Sequence, residues 1–325
     1  MAKLVAKLAL SGRTSFDKAY DPCCGSTGLL LALKNEITEN GRVGKLYGQE
    51  MNPTTYNLGR MNMLLHGVPF SDFDIFKGDT INKPQAEKTK EQEENGISDV
   101  TLLQDKFDVI VANPPFSQDY TPTDTLLLDP RFRGSGMLAP KNYEDWLFVE
   151  HMLYCLKPGG TLAVVLAPGP MFRNGPEEQI RKYWIGTNNC LDSIVSIPSK
   201  CFYGTSISTI ICVFKKDRVK KGVYFVDGSK DFVKGKKQNS LSDEHIERIA
   251  NAVLNPEKPE IEGFAHFASL EEIEKANFVM NVQSFVQKKK EEIHYRSEEE
   301  IINDIGKTAA DISAMVSSLK NEGNH

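Results

Sequence analysis

No apolar run in this chain approaches the roughly 20 residues that a helix needs to cross a bilayer, which excludes a helical membrane span. The opening Met1-Ala2-Lys3-Leu4-Val5-Ala6-Lys7 is too short and too interrupted by lysine for a secretory signal, so the expected compartment is the cytoplasm. A CxxC pair is missing too. The six cysteines (Cys23, Cys24, Cys155, Cys190, Cys201, Cys212) have no histidines at zinc-finger spacing, so no metal site is expected and reduced thiols are the default. Positive charge is not in excess: the net charge is −5 and the pI near 5.8. Phosphate neutralisation supplies much of the affinity for duplex DNA, so a chain of this charge acting on DNA needs a partner to help grip it. The lysine clusters at 215–216, 220–221, 234–237 and 288–290 read first as solvated surface. No helix-turn-helix or other base-reading motif stands out.

What is present is an ordinary globular chain of 325 residues, 40% hydrophobic, able to bury one substantial core. From Phe16 to about Lys216, short β-rich apolar runs alternate with helical patterns, which predicts a wound α/β sheet, mostly parallel. Seven strands are expected: 18–21, 45–49, 73–77, 107–112, 161–167, 191–197 and 209–214. The polar stretch Glu87 to Gly96 reads as an exposed loop, and Ser117 to Asn142 as a long, glycine-punctuated loop of the functional kind. Beyond Lys221 come a strand-like Val223-Tyr224-Phe225-Val226, a helix opened by Ser242 and a proline-marked linker. Ile302, Ile305, Ala309, Ile312, Val316 and Leu319 then follow at the three-four spacing of a helix that packs along another helix. The expected domains are 1–221 (catalytic), 222–285 (a small α/β extension) and 286–325 (a helical tail that either contacts another subunit or folds back on its own chain).

Four segments carry chemistry. Asp21-Pro22-Cys23-Cys24-Gly25-Ser26-Thr27-Gly28 follows the first strand and opens a helix; its glycines allow a sharp turn and close ligand approach beside unpaired helix amides. Glu50 ends the second strand 22 residues beyond Gly28, where wound α/β folds place the acid that accepts both ribose hydroxyl protons. Asp79, after the third strand, can accept from a cofactor adenine amine. Asn113-Pro114-Pro115-Phe116 ends the buried fourth strand, at the sheet edge where such folds bind ligands. Asn113 offers an amide oxygen, the prolines remove amide donors so that carbonyls can face a ligand, and Phe116 offers a stacking face. An exocyclic amine is a weak nucleophile because its lone pair is delocalised. Acceptors on both its protons, Asn113 and a carbonyl such as that of Pro114, localise that pair toward a methyl donor.

These segments, with Gly48-Gln49-Glu50-Met51-Asn52-Pro53, Asp129-Pro130-Arg131-Phe132 and Phe202-Tyr203-Gly204-Thr205, resemble the modification subunits of type I restriction-modification systems over almost the whole chain. The resemblance implies a seven-stranded Rossmann-like sheet with its last strand antiparallel. It also implies adenine methylation in duplex DNA from S-adenosylmethionine, after the base is flipped out of the stack. The cofactor residues would be Asp21, Cys23, Gly25, Ser26, Thr27, Gly28, Glu50 and Asp79; the catalytic ones Asn113, Pro114, Pro115 and Phe116. A specificity subunit would read the sequence and a restriction subunit could join. The family has glycine where Thr27 stands, and carries a helical domain and a Thr-Pro cofactor segment ahead of the helix with which this chain opens. Weak cofactor binding by the isolated chain is therefore expected, and micromolar affinity in calorimetry would refute it. Two other readings stay open at this point: a protein-glutamine or RNA methyltransferase of the same fold, and an inactive or weakly active truncated subunit kept for assembly.

Overall fold

The structure, a computed structural model, describes residues 1–38, 40–85, 103–202, 207–286 and 298–322; the expectations for Glu87–Gly96, Tyr203–Thr205 and the 288–290 lysines fall outside them. All seven expected strands are present: β1 (Ser15–Asp21), β2 (Arg42–Glu50), β3 (Phe73–Lys77), β4 (Phe107–Ala112), β5 (Leu156–Leu166), β6 (Leu191–Ile197) and β7 (Thr209–Lys215). Two more, β8 (Val223–Asp227) and β9 (Ala265–Ala268), extend one sheet in the order β3-β2-β1-β4-β5-β7-β6-β8-β9. The extension joins the sheet because Val223-Tyr224-Phe225-Val226 is buried on both faces, the pattern of an interior strand rather than an edge. β1 to β5 pair in parallel, β7 runs antiparallel to both β5 and β6, and β8 is parallel to β6. β6 and β8 therefore point the same way as β1 to β5, and the loops that follow all of them open at one edge.

Alternation along the strands sorts the core onto two faces. Ile110, Ala112, Leu162 and Val164 meet one set of helices: α4 (Asp124–Leu128), α5 (Asp145–Cys155), α6 (Pro176–Arg181), α8 (Leu270–Lys275) and α9 (Val282–Phe285). Val109, Val111, Ala163 and Val165 meet the other: α1 (Ala2–Leu10), α2 (Gly28–Glu36), α3 (Pro53–Leu65) and α7 (Asp243–Leu254). Each fully buried Leu, Ile or Val contributes about 1.5–3 kcal/mol. Ser242 caps α7 through a capping box completed by His245.

Residues Met1–Gln287 form one compact unit and Lys288–His325 a second. The second contains α10 (Glu298–Glu322), on which Ile302, Ile305 and Ile312 are 66%, 63% and 57% exposed. No helix among the described residues is long and apolar enough to cross a membrane.

Candidate active site

β1 delivers Asp21 almost fully buried at the sheet edge, where its Oδ1 accepts from the Cys23 amide at 3.0 Å. Burial pushes its pKa up to about 7, with the Cys23 amide pulling the other way. The chain then turns through Pro22–Thr27. The Cys24 amide donates to the Gln49 carbonyl at 2.9 Å, and the Gly25 amide to Glu50 Oε2 at 3.0 Å. Glu50 Oε1 accepts from the Asn52 amide at 2.7 Å, so one carboxylate ties the glycine turn to the start of α3. Asn52 caps α3 by accepting from the Thr54 and Thr55 amides, with Pro53 at its first turn.

Thr27 sits in the left-handed region at φ 67°, which accounts physically for the glycine the resembling family carries there. Its hydroxyl compensates by donating to the Ser26 carbonyl and lying 3.4 Å from the Gly59 carbonyl. Gly59 lets α3 press on the turn, since a Cβ there would lie 2.8 Å from the Gly25 carbonyl oxygen.

Two cavities open at this edge. The first, about 330 Å³, is lined by Asp21, Cys23, Cys24, Gly25, Ser26, Gly28, Leu29, Asn113, Val165 and Phe202, together with residues of α1. The second, about 290 Å³, is lined by Pro22, Cys23, Glu50, Met51, Gly78, Asp79, Thr80, Ile81, Asn113, Pro115, Gln118, Glu144 and Phe148. Cys23 and Asn113 border both, so Asn113 stands where the two meet. Of the residues predicted from sequence, Thr27, Pro114 and Phe116 border neither cavity: Thr27 and Pro114 are buried, and Phe116 is half-buried against the core that α1, α2, α3 and α7 cover. Burial pushes the Cys23 and Cys24 thiols well up, so both stay protonated.

Asp79 holds its own turn, its Oδ1 accepting from the Ile81 and Asn82 amides at 2.8 and 3.1 Å. Glu144, which the sequence reading missed, faces the second cavity, and burial followed by the charges of Asp79 and Asp145 pushes its pKa up to about 7. No motif marks it; only its place just ahead of α5 brings it in. Phe148 was missed for the same reason, whereas Gln118 falls in the Ser117–Asn142 loop expected to be functional.

Behind the second cavity lies a buried knot. Arg131 donates from Nη1 to the Thr80 carbonyl at 3.0 Å, from Nη2 to the Ile81 carbonyl at 2.6 Å, and from Nε and Nη2 to the Asp129 carboxylate. Its Nη1 also lies 3.1 Å from His151 Nδ1. A guanidinium can only donate, so Nδ1 accepts and the ring proton is on Nε2, directed at the Tyr20 hydroxyl 3.1 Å away. Burial, reinforced by Arg131, pushes the His151 pKa well down, consistent with the neutral ring. His151 is thus a packed core histidine. Thr80 Oγ1 in turn donates to the Pro22 carbonyl, which joins the turns after β1 and β3.

A parallel sheet with a reversed β7, a glycine turn after β1 and an acid ending β2 define the Rossmann-like fold of S-adenosylmethionine-dependent methyltransferases. Residues 1–294 match the N-6 DNA Methylase family, and the chain belongs to it. It is 36% identical to the type I restriction enzyme MpnII methylase subunit of Mycoplasma pneumoniae, over 98% of this chain and 58% of that protein. To the MjaVII methylase subunit of Methanocaldococcus jannaschii it is 31% identical, over 91% of this chain and 50% of that one. The chain thus spans about half the length of such relatives. The crystal structure of a type I restriction-modification methyltransferase subunit from Streptococcus thermophilus superposes with a TM-score of 0.79 at 37% identity, covering 88% of this chain and 58% of that one. The EcoKI M protein shares the fold, with a TM-score of 0.64 at 18% identity, over 98% of this chain and 72% of that one.

Proposed function

We propose that this chain is the catalytic part of a DNA adenine N6-methyltransferase that uses S-adenosylmethionine, working as the modification subunit of a type I restriction-modification complex. The observation that carries the reading is the meeting of two cavities at Asn113, one bordered by Asp21 and the glycine turn, the other by Glu50 and Asp79.

The donor set fits the cofactor. Glu50, Asp79 and Glu144 line the second cavity, and no lysine, arginine or histidine is among the described residues lining it. Such walls repel a phosphorylated nucleotide and favour an adenosine with free ribose hydroxyls that carries positive charge. Glu50 would hold the ribose, Asp79 the adenine amine, and Asp21 the ammonium of the methionine part. When bound, the cofactor supplies a methyl group on a sulfonium, a strong electrophile.

The rest is the work of the chain. The Asn113 amide oxygen and the Pro114 carbonyl accept the two amine protons of a flipped adenine and turn its lone pair toward the methyl group. Phe116, its ring fixed by the core on one side, replaces part of the lost base stacking. The proton leaves to solvent after transfer, and His151, buried and neutral, has no part in it. Partners follow from the same reading. A specificity subunit would dock on α10 and supply base recognition, and a restriction subunit could join the assembly.

The test is transfer of radiolabelled methyl groups to adenine in duplex DNA by the chain assembled with its cognate specificity subunit. Asn113→Ala is expected to reduce labelling about 100- to 1,000-fold, since it removes an acceptor aimed at the transition state. Unchanged labelling in that variant would refute the assignment.

A further inference from the structure

Of the lysine clusters, the one at 234–237 takes on a different character once the sheet directions are known. β8 runs parallel to β6, and β6 runs with β1 to β5, so the chain leaving Asp227 emerges at the edge that carries Asp21, Glu50 and Asn113. There it forms a hairpin: the Val233 and Ser240 backbones pair reciprocally, with N–H to carbonyl distances of 2.8 and 3.1 Å. Gly235 is required in its tip, because a Cβ there would lie 1.9 Å from the Gln238 carbonyl oxygen.

The hairpin is fastened to the loop after β6. The Asn239 amide donates to the Lys200 carbonyl at 2.9 Å, Asn239 Nδ2 to the Ser199 carbonyl at 3.0 Å, and Gln238 Nε2 to the Cys201 carbonyl at 2.7 Å. The next residue, Phe202, lines the first cavity. Lys234, Lys236 and Lys237 stand exposed on this tip, with Lys230 and Lys200 exposed beside it. None of the five forms an ion pair among the described residues. The one acid of the segment, Asp231, is buried and bound by Arg248 at 2.7 Å.

A fixed cluster of lysines beside the reaction edge, with Lys234, Lys236 and Lys237 outside any ion pair among the described residues, on a chain of net charge −5, is an arrangement for gripping a polyanion. We propose that the 233–240 hairpin is a duplex-DNA clamp, its lysines neutralising backbone phosphates that flank the target base. This rests on the DNA methyltransferase reading above. Phosphate contacts carry no sequence information, so the clamp positions the duplex and leaves base reading to the specificity subunit.

The test compares the assembled complex with one carrying Lys234→Glu, Lys236→Glu and Lys237→Glu, measuring its affinity for duplex DNA across a salt series. The three side chains are exposed and unpaired, so the variant is expected to fold and assemble normally, with unchanged thermal midpoint and cofactor affinity. DNA affinity is expected to fall at least about tenfold near 0.1 M salt, and the slope of log affinity against log salt to shrink by about 2–3, from roughly 0.9 per phosphate contact. Affinity and slope equal to those of the parent complex would overturn the clamp and leave the methyltransferase reading standing. Loss of the specificity subunit from the variant would also overturn it, marking the hairpin as a subunit contact. A parent complex that neither binds nor methylates DNA would bring down the underlying reading and the clamp together.

Discussion

Replacing Asp21 by asparagine should stabilise the unliganded protein at neutral and alkaline pH while damaging the proposed cofactor site. Asp21 is 1% exposed and its pKa is pushed up to about 7 from 3.8. An acid whose folded pKa is raised holds its proton more tightly folded than unfolded. Its favourable contribution is complete below about pH 4 and is lost as pH rises through about 7. At about 1.4 kcal/mol per unit, ionisation between pH 5 and 7 costs up to about 3 kcal/mol, reduced toward about 1 by the water an open cavity admits. The introduced asparagine is neutral throughout, so Asp21→Asn escapes that cost and can still accept from the Cys23 amide. Urea unfolding from pH 5 to 8.5 should show the variant overtaking wild type, with a difference that grows to pH 7 and then levels. Glu144 and Glu150, raised by burial to about 7 and about 8, titrate in both proteins and cancel in the difference. In the same variant, affinity for the cationic cofactor should fall about tenfold or more, as a charge-assisted hydrogen bond is lost. A stability difference independent of pH, or a variant less stable above pH 7, would refute the reasoning.

Gly59→Ala places a methyl group 2.8 Å from the Gly25 carbonyl and 3.1 Å from Thr27 Cγ2. Overpacking of about 1–3 kcal/mol is partly offset by about 1 kcal/mol of helix propensity, so denaturant unfolding should show a net loss of about 1 kcal/mol. Thr27→Gly relieves about 1 kcal/mol of left-handed strain and forfeits a buried hydroxyl, leaving stability within about 1 kcal/mol of wild type; a loss above about 3 would mean that the hydroxyl matters more than the strain. On α10, Ile305→Asp should leave the stability of the chain within about 0.5 kcal/mol and abolish co-purification with the specificity subunit; retained assembly would move that contact elsewhere.

β4 to β7 were legible because each is a short apolar run buried on both faces, β1 to β3 because their buried ends lead into turn motifs, and the tail helix because its isoleucines keep a strict spacing. β9 was not: Ala265-His266-Phe267-Ala268 is four residues long, and its inner two are only half-buried, which leaves no alternation to read. That the glycine turn, Glu50, Asp79 and Asn113 would share one sheet edge could be read because they sit in contiguous motifs at strand ends. Glu144 and the lining role of Phe202 could not, since only the folded sheet brings them to Asn113. Arg131 was visible as part of a motif, but its partners at 80–81 and 151, and Tyr20 beyond His151, are brought together by packing alone. The 234–237 lysines looked like any solvated run until the direction of β8 placed them at the working edge.

That buried arginine has a consequence for how the protein responds to heat. The Asp129–Arg131 segment, the Thr80–Ile81 turn, α5 and, through His151, the last residues of β1 share one guanidinium as fastener. The walls of the second cavity formed by the Thr80–Ile81 turn and by α5 cannot loosen separately without stranding Arg131 donors in a dry interior. That side of the site is therefore expected to open with the sheet core rather than with the fraying margins of the fold. On warming, ligand binding and the sheet core are expected to be lost together, in one transition.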